Sequence, residues 1–182
     1  MLNQEIEFVH HKSPIGELIV GTFEGQLCLM DYRFRKQRSQ IDRRLSKHLN
    51  ASFTAKKNKI IQQTIVELDA FLTGQLKTFT VPIRPVGTPF QNQVWEQLLQ
   101  IPYGQTMSYL ELTKRLNLSP NDVRAVAGAN GANAISVLIP CHRIIGKNGQ
   151  LVGYAGGLAA KNKLLKLEKN NTLNPNELPL WS

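Results

Sequence analysis

Cysteine is scarce in this sequence: Cys28 and Cys141 are the only two in 182 residues. That excludes a disulfide scaffold, and no Cys-x-x-Cys pair is present to grip a metal or run redox chemistry. Cys28 with His10 and His11 makes at most three candidate zinc ligands, and adjacent histidines rarely converge on one tetrahedral ion. Neither a metal nor a cofactor is expected. Long hydrophobic runs are missing too, since nothing approaches the roughly 20 apolar residues of a bilayer span. The first eight residues lack the basic-then-apolar order of a secretory signal. The expectation is a cytoplasmic protein with no membrane partner. Acidic residues are also short, 13 against 22 Lys and Arg, for a net charge of +9. Such an excess favours a polyanionic partner, nucleic acid first, through phosphate neutralisation.

The excess is spread along the chain, with 13 basic and 8 acidic residues before Gly87 and 9 and 5 after it. Neither half is simply a basic tail. Hydrophobic residues make up 42%, enough for a core in one ordinary domain or two small ones. The first half reads as mixed α/β. Alternation at Ile6, Phe8 and His10 suggests a strand, Ser13 to Gly16 a turn, and Glu17 to Phe23 a second strand. Glu24-Gly25 is a hairpin turn into Gln26 to Tyr32, giving an antiparallel meander. The basic run from Arg33 to Lys47 reads as a solvated helix face, and the stretch from Arg33 to Lys59 is left open between extra phosphate contact and solubility. Ile60, Ile61, Ile65, Leu68 and Leu72 have helical spacing, stopped by Gly74. Pro82, Pro85, Gly87 and Pro89 make Phe79 to Pro89 a linker between subdomains.

The second half is punctuated as short helices. Thr88-Pro89-Phe90-Gln91 is a capping box with proline at the first helical position, and Val94, Trp95, Leu98 and Ile101 form an inward stripe. Tyr109 to Leu116 makes a short helix, and Ser119-Pro120-Asn121-Asp122 caps the next, Val123 to Ala129. Two short helices on a tight turn have helix-turn-helix form. Ala125, Ala127, Gly128 and Ala129 keep the second helix slim, which suits either close approach to a duplex or packing on another helix.

The apolar run from Ile135 to Ile139 stops at Pro140, placing Cys141 where an extended segment is interrupted. A thiol attacks only as thiolate, and an unperturbed thiol is about 3% ionised at pH 7. His142 can raise that fraction, directly or through a water, if a third group orients its ring. Glycine-rich turns at Gly146 to Gly149 and Gly153 to Gly157 follow. Leu158 to Lys169 then reads as a helix on which Glu168 shares a face with Leu164 and Leu165. A carboxylate on an apolar face needs a partner, and His142 is a candidate.

With Pro140-Cys141-His142-Arg143 followed by Gly153-Tyr154-Ala155-Gly156-Gly157, the sequence resembles the methylated-DNA–protein-cysteine methyltransferases, or O6-alkylguanine-DNA alkyltransferases, of the stand-alone bacterial type. The resemblance runs from Gly87 to Glu168, with weaker agreement at Ser13 to Gly16. It implies an α+β fold: a ribonuclease-H-like α/β domain (1–85), a mainly helical domain with a helix-turn-helix (86–170), and a tail (171–182). It also implies DNA repair by irreversible transfer of a methyl or larger alkyl group from O6 of guanine, and from O4 of thymine, to Cys141. His142 matches the base acting through a water and Glu168 the carboxylate behind it. Arg124 matches an arginine that fills the gap left by a flipped nucleotide, Tyr109 the tyrosine that turns it out, and Asn133 a tie between recognition helix and active-site segment. Base contacts fall to the backbone of Cys141, Ile144 and Ala155, while Pro140 and Arg143 are structural. Ala155 stands where some members have serine, and Ala134 where many have proline. The partner implied is double-stranded DNA containing O6-alkylguanine, bound through the minor groove by a monomer. A non-catalytic protein that binds alkylated DNA is the alternative, and the presence of Cys141 argues against it. A methylation-sensing regulator would need a further cysteine cluster, and a cysteine hydrolase an acyl-binding feature that the sequence does not offer.

Overall fold

The computed structural model describes residues 4–173. Strands β1 (Gln4–Ser13), β2 (Gly16–Phe23) and β3 (Gln26–Tyr32) form the expected meander. The β2–β3 connection places Glu24 and Gly25 at φ 47° and 74°, the twist that suits a two-residue hairpin. Helix α1 (Arg38–Leu49) follows, and then β4 (Ala51–Ala55), which pairs parallel to β1. The sheet is therefore mixed rather than purely antiparallel, in the order β3-β2-β1-β4. Helix α2 (Lys59–Leu72) opens at Asn58, whose side chain accepts from the Ile61 amide at 2.9 Å, a standard N-cap.

Each sheet face has its own helix. Ile41, Leu45 and Leu49 of α1 pack with Ile6, Phe23 and Leu29. On the other face Ile61, Leu68 and Phe71 of α2 join Leu18, Val20 and Met30. That second cluster continues without a break into Val94, Trp95 and Leu98, the inward stripe of α3 (Pro89–Leu99), which starts with the expected capping box. The Phe79 to Pro89 stretch runs along the open edge of β3: the Leu27 amide donates to Pro82 O and the Arg84 amide to Leu27 O, both at 2.8 Å. Further along that edge, the Met30 amide donates to Ala134 O (2.8 Å) and the Ser136 amide to Met30 O (2.7 Å). A bare edge that would otherwise invite pairing with another chain is covered, and the cover includes the segment leading to Cys141.

In the second half, β5 (Met107–Ser108) runs into α4 (Tyr109–Arg115), capped by Ser108. A 3₁₀ turn at Pro120–Asp122, capped by Ser119, leads into α5 (Val123–Gly131). Strand β6 (Ile144–Ile145) pairs parallel with β5, and α6 (Gly157–Leu173) closes the fold. Helix α6 continues past the expected start of a tail at 171, and residues 174–182 lie outside those described. Among the described residues no helix is long and apolar enough to cross a membrane.

Candidate active site

The segment between α5 and Cys141 is not extended, as its apolar run suggests, but tightly folded. Val137 sits at φ +73°, and the Leu138 amide donates back to Ser136 O at 3.0 Å. This is a γ-turn in its strained form, uncommon for a β-branched residue. Pro140, at φ −80° and ψ 60°, makes the relaxed form, with the Cys141 amide donating to Ile139 O at 2.8 Å. Asn133 supports both turns from behind. Its Oδ1 accepts from the Ile135 amide at 2.9 Å, and its Nδ2 donates to Ile139 O at 2.9 Å and to Cys141 Sγ at 3.2 Å.

Cys141 opens a 3₁₀ turn with His142 and Arg143. Its side chain is nearly buried, yet it lines a cavity of about 480 Å³, a size common for small-molecule sites. Burial pushes the thiol pKa up, and the Asn133 hydrogen bond pulls it down by less. The resting group is thus a thiol, and the structure does not raise the ionised fraction in advance. Ionisation must come from a base at the moment of reaction.

His142 is fully buried, and its Nε2 lies 2.7 Å from Glu168 Oε1. Arg143 binds the same carboxylate through Nε (2.9 Å to Oε2) and Nη2 (3.0 Å to Oε1), and the Gly104 amide donates to Oε2 at 2.9 Å. Burial pushes Glu168 upward in pKa, but the bonds and charges of His142 and Arg143 outweigh it and hold the carboxyl at about 2. Burial lowers His142, against the pull of Glu168. The resting pair is therefore neutral imidazole and carboxylate. With Glu168 ionised, Nε2 must carry the ring proton, and Nδ1 is left as a free lone pair. Nδ1 is buried and has no hydrogen-bond partner among the described residues.

Tyr109, the first residue of α4, lines the cavity and accepts from Asn130 Nδ2 at 3.2 Å. Burial raises its pKa, keeping the phenol protonated. Ala155 also lines the cavity. Ile144 is not among the lining residues: its side chain is buried, and its carbonyl accepts from Lys161 Nζ at 2.5 Å, leaving one lone pair. Arg124 lies outside the cavity, exposed on α5 with Ala125 and Gly128 and without a partner among the described residues.

Lys161, the contact of Tyr32 with Tyr154, and the place of Arg35 to Gln37 at the cavity escaped the sequence reading. Lys161 is fully buried and also binds Val152 O at 2.6 Å, tying the loop before α6 to β6. It lies seven residues before Glu168 on one face of α6, so the spacing that singles out Glu168 also marks Lys161. Tyr154 lines the cavity, and Tyr32 of β3 donates to its hydroxyl at 3.3 Å. Gly156 is needed here, because a Cβ would stand 2.2 Å from the Tyr32 ring. Arg35, Lys36 and Gln37, about a hundred residues from Cys141, form the remaining wall.

A slim helix-turn-helix beside a buried thiol, with imidazole and carboxylate behind it, defines a DNA-binding protein whose chemistry runs through cysteine. Residues 89–170 match the sequence model of the family described as 6-O-methylguanine DNA methyltransferase, DNA binding domain. A methylated-DNA–protein-cysteine methyltransferase of Methanosarcina barkeri is 39% identical over 160 residues, 88% of this chain and 95% of the relative. One from Mycobacterium leprae is 44% identical over 164 residues, 88% and 91%. The structure of Mycobacterium tuberculosis OGT in complex with DNA superposes with a TM-score of 0.76 at 34% identity, covering 91% of this chain and 94% of that one. The chain belongs to the family of methylated-DNA–protein-cysteine methyltransferases, enzymes of DNA repair by alkyl transfer.

Proposed function

We propose that the protein repairs double-stranded DNA by direct reversal, taking a methyl or other alkyl group from O6 of guanine, or from O4 of thymine, onto Cys141 and keeping it. The observation that carries this reading is a thiol, Cys141, that lines a cavity and is followed in the chain by a buried His142 whose Nδ1 has no hydrogen-bond partner among the described residues. Cys141 lines that cavity and is only 4% exposed, and O6 of a stacked guanine is enclosed in the duplex, so the damaged nucleotide must leave the helix at a cost of a few kcal/mol. Helix α5 enters the minor groove, about 6 Å wide, where its small residues allow close approach. Arg124 fills the gap in the stack, and Tyr109 turns the nucleotide outward. The backbone of Cys141, Ile144 and Ala155 reads the base.

In the chemical step a bridging water passes the Cys141 proton to His142 Nδ1, and Glu168 stabilises the imidazolium. The thiolate attacks the alkyl carbon in line. The S–C bond forms as the C–O6 bond breaks, and its electron pair stays on guanine. The Tyr109 hydroxyl protonates that leaving group and regains its proton from the imidazolium, so that one proton moves in total from sulfur to guanine. The product is a thioether, which has no exchange route comparable to that of a disulfide, and each chain acts once. Residues 1–85 form an N-terminal domain that holds the reacting segment and residues 86–170 the alkyl-accepting domain, whose last helix runs on to Leu173. The protein works as a monomer in the cytoplasm, on the nucleoid when bound to DNA.

Mixing the protein with a duplex labelled in a single O6-methyl group tests this. The label is expected on the peptide containing Cys141, at no more than one per chain, and absent there in Cys141→Ala. Tight lesion binding with all label left on the DNA would instead favour the non-catalytic reading. A parallel duplex carrying O4-methylthymine decides the second substrate.

A further inference from the structure

We propose that Lys36, in the loop between β3 and α1, binds the phosphodiester beside the extruded nucleotide, which makes the first half of the chain part of the DNA interface. This rests on the alkyl-transfer reading of the cavity. The wall lining contains two cations, Arg35 and Lys36, and no carboxylate. Arg35 is fully engaged. It donates to Asp31 Oδ2 at 2.8 Å, to Asn133 O at 3.0 Å and to Gly131 O at 2.6 Å. The ammonium of Lys36 is exposed and has no acceptor among the described residues.

The loop that carries Lys36 is fixed on both sides. Before it stands buried Arg35. After it, Arg38 donates to Asp31 Oδ2 at 2.9 Å and to Asp42. Asp31 also accepts from Ser136 Oγ at 3.1 Å, so one buried carboxylate joins the loop to the segment that positions Cys141. Lys36 thereby lines the same cavity as Ala127 and Gly131 of α5. A nucleotide turned into this cavity carries its flanking phosphates to the rim, because base and phosphates share one sugar. Lys36 is the cation of the rim left to meet them. A lysine suits this as a mobile point charge that needs no fixed fork geometry.

The experiment compares the wild type with Lys36→Ala and Lys36→Arg on two substrates, a duplex containing O6-methylguanine and the free O6-methylguanine base, which has no phosphate. Lys36→Ala is expected to lower the ratio of duplex rate to free-base rate several-fold, and Lys36→Arg to restore it. The slope of log affinity for duplex against log salt should fall by about 0.9, the value for one phosphate. The affinity gap between wild type and Lys36→Ala then narrows about 3.5-fold between 50 and 200 mM salt. An unaltered ratio and slope would overturn the proposal. So would an equal loss on both substrates, which would mean that Lys36 acts on the thiol chemistry and not on DNA. If the wild type moves no alkyl group from either substrate, it is the alkyl-transfer reading that fails.

Discussion

Replacing Glu168 with glutamine changes one atom and removes one charge, and its consequences can be worked through from the site. In the wild type the carboxylate accepts from His142, from Arg143 twice and from the Gly104 amide. An amide in its place keeps one acceptor and turns two hydrogens toward groups that are themselves donors. Arg143, 8% exposed, loses its counter-ion, and stranding one member of a buried pair costs about 3–5 kcal/mol. The titration gives a second figure. Glu168 is held at about 2 in the fold against roughly 4.3 unfolded, worth about 3 kcal/mol at neutral pH. Its pKa is depressed, so this stability is present above about 4.3 and is lost as pH falls toward 2. The gap between wild type and Glu168→Gln in urea unfolding should therefore be about 3 kcal/mol at pH 7 and should shrink between pH 4.5 and 2.

The chemical step is affected as well, because the imidazolium that forms when Cys141 ionises would face a neutral group. A loss of roughly 2–3 kcal/mol there slows transfer by about 30- to 150-fold. Single-turnover transfer of a labelled methyl group, quenched at intervals under conditions where circular dichroism shows the variant folded, measures this. Wild-type speed in folded Glu168→Gln would refute the proton relay, and a pH-independent stability gap would refute the ion-pair account.

Asn133→Ala should lower unfolding stability by roughly 1–3 kcal/mol, since it leaves the Ile135 amide buried without a partner and the Ile139 carbonyl with the Cys141 amide alone; a change below about 0.5 kcal/mol in urea titration would contradict that geometry. Gly156→Ala forces a Cβ onto the Tyr32 ring and should cost about 1–3 kcal/mol, visible as a lower Tm, whereas an unchanged Tm would mean that the contact is not close. Arg124→Ala removes an exposed side chain without a partner, so stability should stay within about 0.5 kcal/mol. Transfer from duplex should nonetheless fall about tenfold or more, the equivalent of about 1.4 kcal/mol, and an unchanged rate would take Arg124 off the DNA.

Much of the architecture is written in local signals. Thr88, Ser108 and Ser119 each close a capping box in the structure, and the first and last of these were readable because cap chemistry needs only four adjacent residues. Glu168 could be singled out because helical spacing fixes which side chains share a face. What escaped depends on distant partners. Ala51–Ala55 carries no strong strand pattern of its own and becomes β4 through pairing with β1. The apolar run at Ile135 to Ile139 looked extended because nothing in a β-branched residue announces φ +73° at Val137; Asn133 and the edge of β3 impose it. The basic run looked like a solvated face, yet Arg35 is buried on Asp31 four residues earlier. That spacing was visible, but charge counting alone does not say which cation turns inward.

The bonds between Met30 and the Ala134–Ser136 stretch give the chemically silent half of the molecule the role of a jig. The place of the thiol in the wall of its cavity is set by a strand more than a hundred positions away. Damage to that strand would first cost aim and only later integrity, so a sluggish variant with every reactive group intact should send the experimenter back to β3.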